Sequence, residues 1–61
     1  MTERIERIGH IVRLGGGVAD IRFETGLPAI SNRLVTLTDP EIVIEVAALP
    51  SETVARGLVM N

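Results

Sequence analysis

The strongest constraint on the fold is a run of sixteen residues in which two apolar stretches flank three glycines. The first stretch, residues 8–14 (IGHIVRL), is rich in β-branched side chains, which favour strands. In the second stretch, Ala19, Ile21 and Phe23 alternate with charged residues, a period of two that is typical of a half-buried strand. The glycines, residues 15–17, supply the backbone freedom of a tight turn. The pattern predicts a β-hairpin.

Residues 24–30 (ETGLPAI) interrupt this pattern and predict a loop, because Pro28 biases Leu27 away from helical dihedral angles and Gly26 adds freedom. The loop carries three apolar residues, Leu27, Pro28 and Ile30, which are costly to leave in water. We expect them to form a subunit interface or a self-association surface, or else to fold back over one end of the domain.

Two more strands are predicted on either side of a tight turn. Residues 33–38 (RLVTLT) form the first strand and residues 42–47 (IVIEVA) the second. Between them, residues 39–41 contain Pro40, whose fixed φ suits a turn. One face of the second strand is aliphatic, formed by Ile42, Ile44 and Val46.

The last segment of the chain fits either a helix or a strand. Val54 and Leu58 have the i, i+4 spacing of a helix that Pro50 could open. Gly57 favours a strand, because glycine costs about 1 kcal/mol relative to alanine in a helix interior. Five or six short strands in a chain of this length indicate a small barrel, which leaves no sheet edge exposed.

The composition argues against several classes of site and function. The 61 residues make one domain at most, and the absence of cysteine excludes disulfides and thiolate zinc sites. The formal charge of −2 and the single aromatic ring, Phe23, argue against nucleic acid as a ligand. No run of about 20 apolar residues could span a bilayer, and residues 1–7 (MTERIER) form a charged, flexible lead rather than a signal peptide. We therefore expect a cytoplasmic protein without direct membrane insertion.

No residue pattern predicts catalysis, a cofactor or a metal site. The chain has no lysine, so it cannot contain the G-x-x-x-x-G-K-[ST] phosphate loop. His10 has no sequence partner for acid–base work and is expected to be a structural residue. Asp20 is the carboxylate of most interest, since it could hydrogen-bond neighbouring backbone or pair with an arginine such as Arg22 or Arg56, and we expect its role to be structural.

Several segments, in order, resemble the catalytic beta subunit of rotary ATP synthases. Residues 9–23 (GHIVRLGGGVADIRF) are similar, without a gap, to the family's opening G-x-I-V-x-V-x-G-x-V-V-D-V-x-F. Residues 27–34 (LPAISNRL) resemble its L-P-x-I-x-N-A-L, and residues 42–46 (IVIEV) resemble its L-V-L-E-V. Arg56 and Met60 fall where the family has the arginine and methionine of V-R-T-I-A-M.

The resemblance implies an all-β fold, a closed six-stranded β-barrel that occupies residues 1–61 as a single domain. In the family this amino-terminal crown domain packs against neighbouring homologous subunits and holds the hexameric head together. The phosphate loop and catalytic glutamate belong to a separate nucleotide-binding domain, so no catalytic residue is carried over to this chain. The whole subunit would belong to a proton- or sodium-translocating ATP synthase, in a cytoplasmic head peripheral to the membrane.

Two alternatives remain from the sequence. The chain could be a stand-alone small β-barrel that binds through its loops, which a basic or aromatic patch would favour, or an engineered barrel fragment without enzymatic activity. A reading frame that continues into a lysine-containing phosphate loop would separate the assembly domain from both.

Overall fold

The computed structural model of the chain describes residues 7–61, which form five β-strands and no helix. The strands are β1 (Gly9–Gly15), β2 (Val18–Phe23), β3 (Arg33–Val35), β4 (Val43–Ala48) and β5 (Val54–Val59). They form one antiparallel sheet in the order β1-β2-β5-β4-β3. The predicted all-β class is therefore confirmed, and so is the strand at the end of the chain.

The predicted hairpin is formed by β1 and β2. Gly16 and Gly17 connect the strands with φ angles of 60° and 77°. Positive φ at both central residues belongs to the turns that match the twist of a hairpin, and glycine adopts it without a steric penalty. A bulge between Ile11 and Arg13 shifts the register, so that Arg13 lies opposite Asp20.

The buried apolar side chains of the sheet lie on its concave face, and the alternation in the sequence correctly predicted those of β2. Six apolar residues form the core: Ala19, Ile21, Phe23, Ile44, Val46 and Ala55. Leu27, Leu34, Ile42 and Val59 pack around them, partly buried. The predicted aliphatic face of β4 thus joins the predicted apolar face of β2.

Gly57 allows β5 to pair with both β2 and β4, between the apolar faces of these two strands. It lies opposite Ala19 on one side and Val46 on the other. A Cβ atom at this position would clash with the Ile44 side chain and would lie 2.9 Å from the carbonyl oxygen of Glu45. The backbone of β5 therefore approaches β4 more closely than any side chain would permit.

The prediction of a closed six-stranded barrel is wrong for the described residues. Among residues 7–61, β1 and β3 each pair with a single neighbour, and the curved sheet is an open half-barrel. The segment between β2 and β3 supplies no strand.

The predicted strand over residues 33–38 also ends early, at Val35. The hydroxyl oxygen of Thr36 accepts the Ile42 N–H at 2.8 Å, and the Thr38 hydroxyl donates to the Pro40 carbonyl at 3.0 Å. These bonds stabilise a turn where a longer β3 would otherwise continue.

Of the predicted flexible lead, residues 1–7, residues 1–6 lie outside the described residues. Within the part of the chain that the structure describes, no helix has the length and apolar character needed to cross a membrane.

Replacement of the largest core side chain tests the assigned core. Phe23 is 3% exposed, and its ring lies where a Cβ on Gly9 would clash. Phe23→Ala should lower the free energy of unfolding by about 3–5 kcal/mol, which leaves so small a domain largely unfolded. Urea unfolding followed by circular dichroism measures this. Leu37→Ala is the control, since Leu37 is 91% exposed and its loss should have little effect. Equal midpoints for the two variants would mean that the β2 register is misassigned.

Candidate functional site

An open trough separates the two edge strands of the half-barrel. Its volume is about 920 Å³, and core residues Ile21, Phe23 and Ile44 form its floor. The β1 side contributes Ile8 and Ile11, and the β3 side contributes both apolar and polar residues. The wall and rim residues on the β3 side are Arg33, Leu34, Val35, Thr36, Leu37 and Thr38.

The trough combines exposed apolar side chains with positive charge. Ile8 is 68% exposed and Val35 is 51% exposed, although both stand beside the core. The ionisable residues that line it within the described chain are Arg7, His10 and Arg33, and none is a carboxylate. The surface therefore suits an extended polypeptide with apolar and acidic side chains more than a small polar substrate.

His10 lies on this rim without the partners that acid–base chemistry requires. It is exposed, as expected, and pairs in register with Arg22 of β2. No carboxylate or hydroxyl forms a hydrogen bond with its side chain within residues 7–61. In the same residues, no three histidine, aspartate or glutamate side chains come together as metal ligands would.

A second polar feature lies on the opposite, convex face. The Arg56 guanidinium donates from Nε to Asp20 Oδ1 at 2.8 Å and from Nη2 to Oδ2 at 3.2 Å. The sequence left Arg22 and Arg56 as possible partners of Asp20, and the register selects Arg56, which lies directly opposite on β5. Arg22 instead lies opposite Val54.

Arg13 is the member of this feature that sequence reasoning missed. It lies opposite Asp20 on β1, so that Arg13, Asp20 and Arg56 form a row across three adjacent strands. A groove of about 230 Å³ runs beside the row, lined also by Leu14, Gly15 and Val18. The bulge in β1 sets this alignment, and the residue pattern alone gave no signal for it.

Electrostatics within the row favour the ionised carboxylate. The hydrogen bonds from Arg56 lower the pKa of Asp20, partial burial opposes them, and the charges of Arg56 and Arg13 add to the lowering. The same hydrogen bonds, and the Asp20 charge, raise the pKa of Arg56. The row is therefore a fixed ion pair at neutral pH rather than a proton-transfer site.

The three apolar loop residues are placed differently from one another. Pro28 is buried, Leu27 is partly buried against the core, and Ile30 is 57% exposed. Just beyond them, the Ser31 N–H donates to the Val46 carbonyl at 2.8 Å, which holds the loop against β4. Ile30 is thus the member of the three whose side chain remains available to another molecule.

Two ATP synthase beta subunits of known sequence are similar to this chain. The chain is 38% identical over 56 residues to ATP synthase subunit beta 2 of Chlorobium luteolum, and 36% identical over 63 aligned residues to ATP synthase subunit beta 1 of Paraburkholderia xenovorans. These matches cover 92% and 98% of this chain but only 12% and 13% of the two relatives. No protein-family model matches it. The chain is similar, along nearly its whole length, to a short segment of an ATP synthase beta subunit.

The ion pair predicts a pH-dependent contribution to stability. Since the pKa of Asp20 is lower in the folded chain, its contribution is present above the unfolded value of about 3.9 and is lost as pH falls through the folded pKa. Asp20→Asn should therefore be less stable than the parent at pH near 7, with the difference disappearing towards pH near 2. Urea midpoints at a series of pH values measure this. Glu24→Gln, at an exposed site, is the control; a difference for Asp20→Asn that did not vary with pH would contradict the assignment.

Proposed function

We propose that this chain is a structural, assembly-forming part of an ATP synthase beta subunit and that it helps to associate neighbouring subunits in the head. The observation that carries the proposal is the 38% identity that extends over 92% of the chain. Similarity spread over all five strands indicates a shared fold rather than a shared short motif. The chain corresponds to about an eighth of the beta subunit, so the catalytic activity of that subunit would lie in its other seven-eighths.

The exposed apolar surface supports an assembly role. Ten large hydrophobic residues are substantially exposed within residues 7–61: Ile8, Ile11, Val12, Leu14, Ile30, Val35, Leu37, Leu49, Leu58 and Met60. Exposed apolar residues in such number, several of them along one open trough, are typical of surfaces that another polypeptide covers. The cationic rim of the trough fits a covering segment that carries acidic side chains.

The loop residues Leu27, Pro28 and Ile30 add a proposed subunit contact. Pro28 and Leu27 fix the loop by packing inward, and this presents Ile30 outward at a defined position. A pre-positioned apolar side chain loses little conformational entropy when a neighbour packs on it.

Catalysis would take place in other parts of the subunit, not in this chain. In the assembled enzyme the chain would lie in the cytoplasmic head, peripheral to the membrane, and the whole complex would couple ATP synthesis to proton or sodium movement. The chain itself would hold no nucleotide, because it contains no lysine to reach the phosphates and its glycine triplet, residues 15–17, joins two strands instead of opening a helix.

Calorimetry with ATP and Mg²⁺ tests this division of labour. We expect no heat of binding for the purified chain at ligand concentrations up to about 1 mM, since no phosphate cradle is present. A saturable ATP site with a dissociation constant below about 1 mM would show that the chain is more than a structural piece.

Exchange of the matching segment tests the assembly role itself. In the Chlorobium luteolum beta subunit, the aligned part of this chain would replace the 56-residue segment that it matches. We expect the chimeric subunit to enter the head complex at a level close to that of the parent, as measured by native mass spectrometry. The same chimera with Phe23→Ala is the control for a misfolded segment and should fail to assemble. A chimera that folds, by circular dichroism and protease resistance, yet remains outside the complex would contradict the proposal.

A further inference from the structure

The convex face of the sheet carries an apolar patch that the trough does not include. Val18 of β2 and Leu58 of β5 point away from the core, because they alternate with buried residues along their strands, and Met60, just past the end of β5, continues the alternation. Leu58 is 48% exposed and Met60 is 49% exposed. Val18 and Leu58 are register partners, so the patch is continuous across two strands. We call these three residues the outer patch.

Opposite charges flank the outer patch. On its β1 side, Arg13 stands beside the Asp20–Arg56 pair, and this row of two cations and one anion has an excess positive charge. On its β4 side, Glu45 lies directly opposite Leu58. Since β2 and β5 separate β1 from β4, the positive and negative ends lie on either side of the apolar residues.

We propose that a second copy of this chain packs face to face on the outer patch, with Arg13 of each copy against Glu45 of the other. A two-fold axis that lies in the plane of the interface and passes between β2 and β5 exchanges the positive and negative ends of the patch. One rotation therefore forms both ion pairs at once and places Leu58 of each copy near Val18 of the other. Such an interface uses the same surface twice, as two-fold interfaces between identical chains do.

The immediate surroundings of Glu45 support this pairing. Arg33 is its register partner on β3, so an approaching Arg13 would leave Glu45 between two cations. Asp20 already has this arrangement between Arg13 and Arg56 within one copy. Two sheets stacked about 10 Å apart bring their facing side chains into contact, which is the distance that long arginine and glutamate side chains can bridge.

Charge reversal, followed by sedimentation equilibrium, tests the proposal. The parent chain should dimerise, with a melting temperature that rises with concentration. Arg13→Glu and Glu45→Arg should each raise the dimer dissociation constant by about tenfold or more, because each change puts like charges together at both ends of the interface.

An equimolar mixture of the two variants supplies the decisive measurement. A heterodimer of Arg13→Glu with Glu45→Arg has opposite charges at both ends again, so the mixture should associate about as tightly as the parent. The matched control is Arg22→Glu alone, which makes the same change of charge as Arg13→Glu on the same strand pair. Arg22 is exposed and lies opposite Val54, away from Val18 and Leu58, and this variant keeps Arg13 and Glu45, so it should dimerise about as tightly as the parent. Circular dichroism confirms that every variant is folded.

Four results would overturn the inference: a parent chain that remains monomeric up to about 1 mM, an Arg13→Glu or Glu45→Arg variant that dimerises as tightly as the parent, a mixture of these two that associates no better than either alone, or an Arg22→Glu variant that dissociates as readily as Arg13→Glu. The inference goes beyond the proposed function and is tested separately from it. The segment exchange reports on packing against other subunits, whereas sedimentation of the isolated chain reports on the outer patch alone.

Discussion

The pairing of β5 with both β2 and β4 joins the two halves of this chain. Without β5, the β1–β2 hairpin and the β3–β4 pair would be separate two-stranded ribbons, which are marginal in water. Gly57 makes the junction possible, since any side chain there would collide with Ile44 and the backbone of β4. The bidentate hydrogen bonds between Arg56 and Asp20 then link β5 to β2 on the other face of the sheet. β5 thus makes an apolar contact on one face of the sheet and an ionic contact on the other.

Within residues 7–61 the sheet remains open, with β1 and β3 as its edge strands. Six buried apolar residues supply a small core, and a chain of this length already buries only about 60% of its unfolded surface. The two edge strands therefore keep apolar side chains in contact with water, along the trough between them. The same small core that limits stability leaves the apolar area that the proposed association would cover.

Local pattern was enough to predict the parts of the fold that depend on neighbouring residues. The alternation over β2 and the glycine turn predicted the hairpin, and the aliphatic face of β4 was correctly assigned. The early end of β3 depends on hydroxyl bonds from Thr36 and Thr38 that compete with strand pairing, and residue propensities do not encode that competition. The choice of Arg56 over Arg22 depends on the register between strands 36 residues apart. The trough and the Arg13 row required the same long-range information, together with a bulge.

The distribution of charge determines which partner each surface can accept. The trough is lined by Arg7, His10 and Arg33, with no carboxylate among its described lining residues, so two troughs brought together would place like charges against each other. It therefore suits a different polypeptide with acidic side chains. The outer patch has a cation on one side and Glu45 on the other, so rotation of an identical copy pairs unlike charges. Because the two surfaces lie on opposite faces of one thin sheet, a second copy on the outer patch leaves the trough open. Under the two proposals above, association of identical chains and association with other subunits would use opposite faces of the sheet.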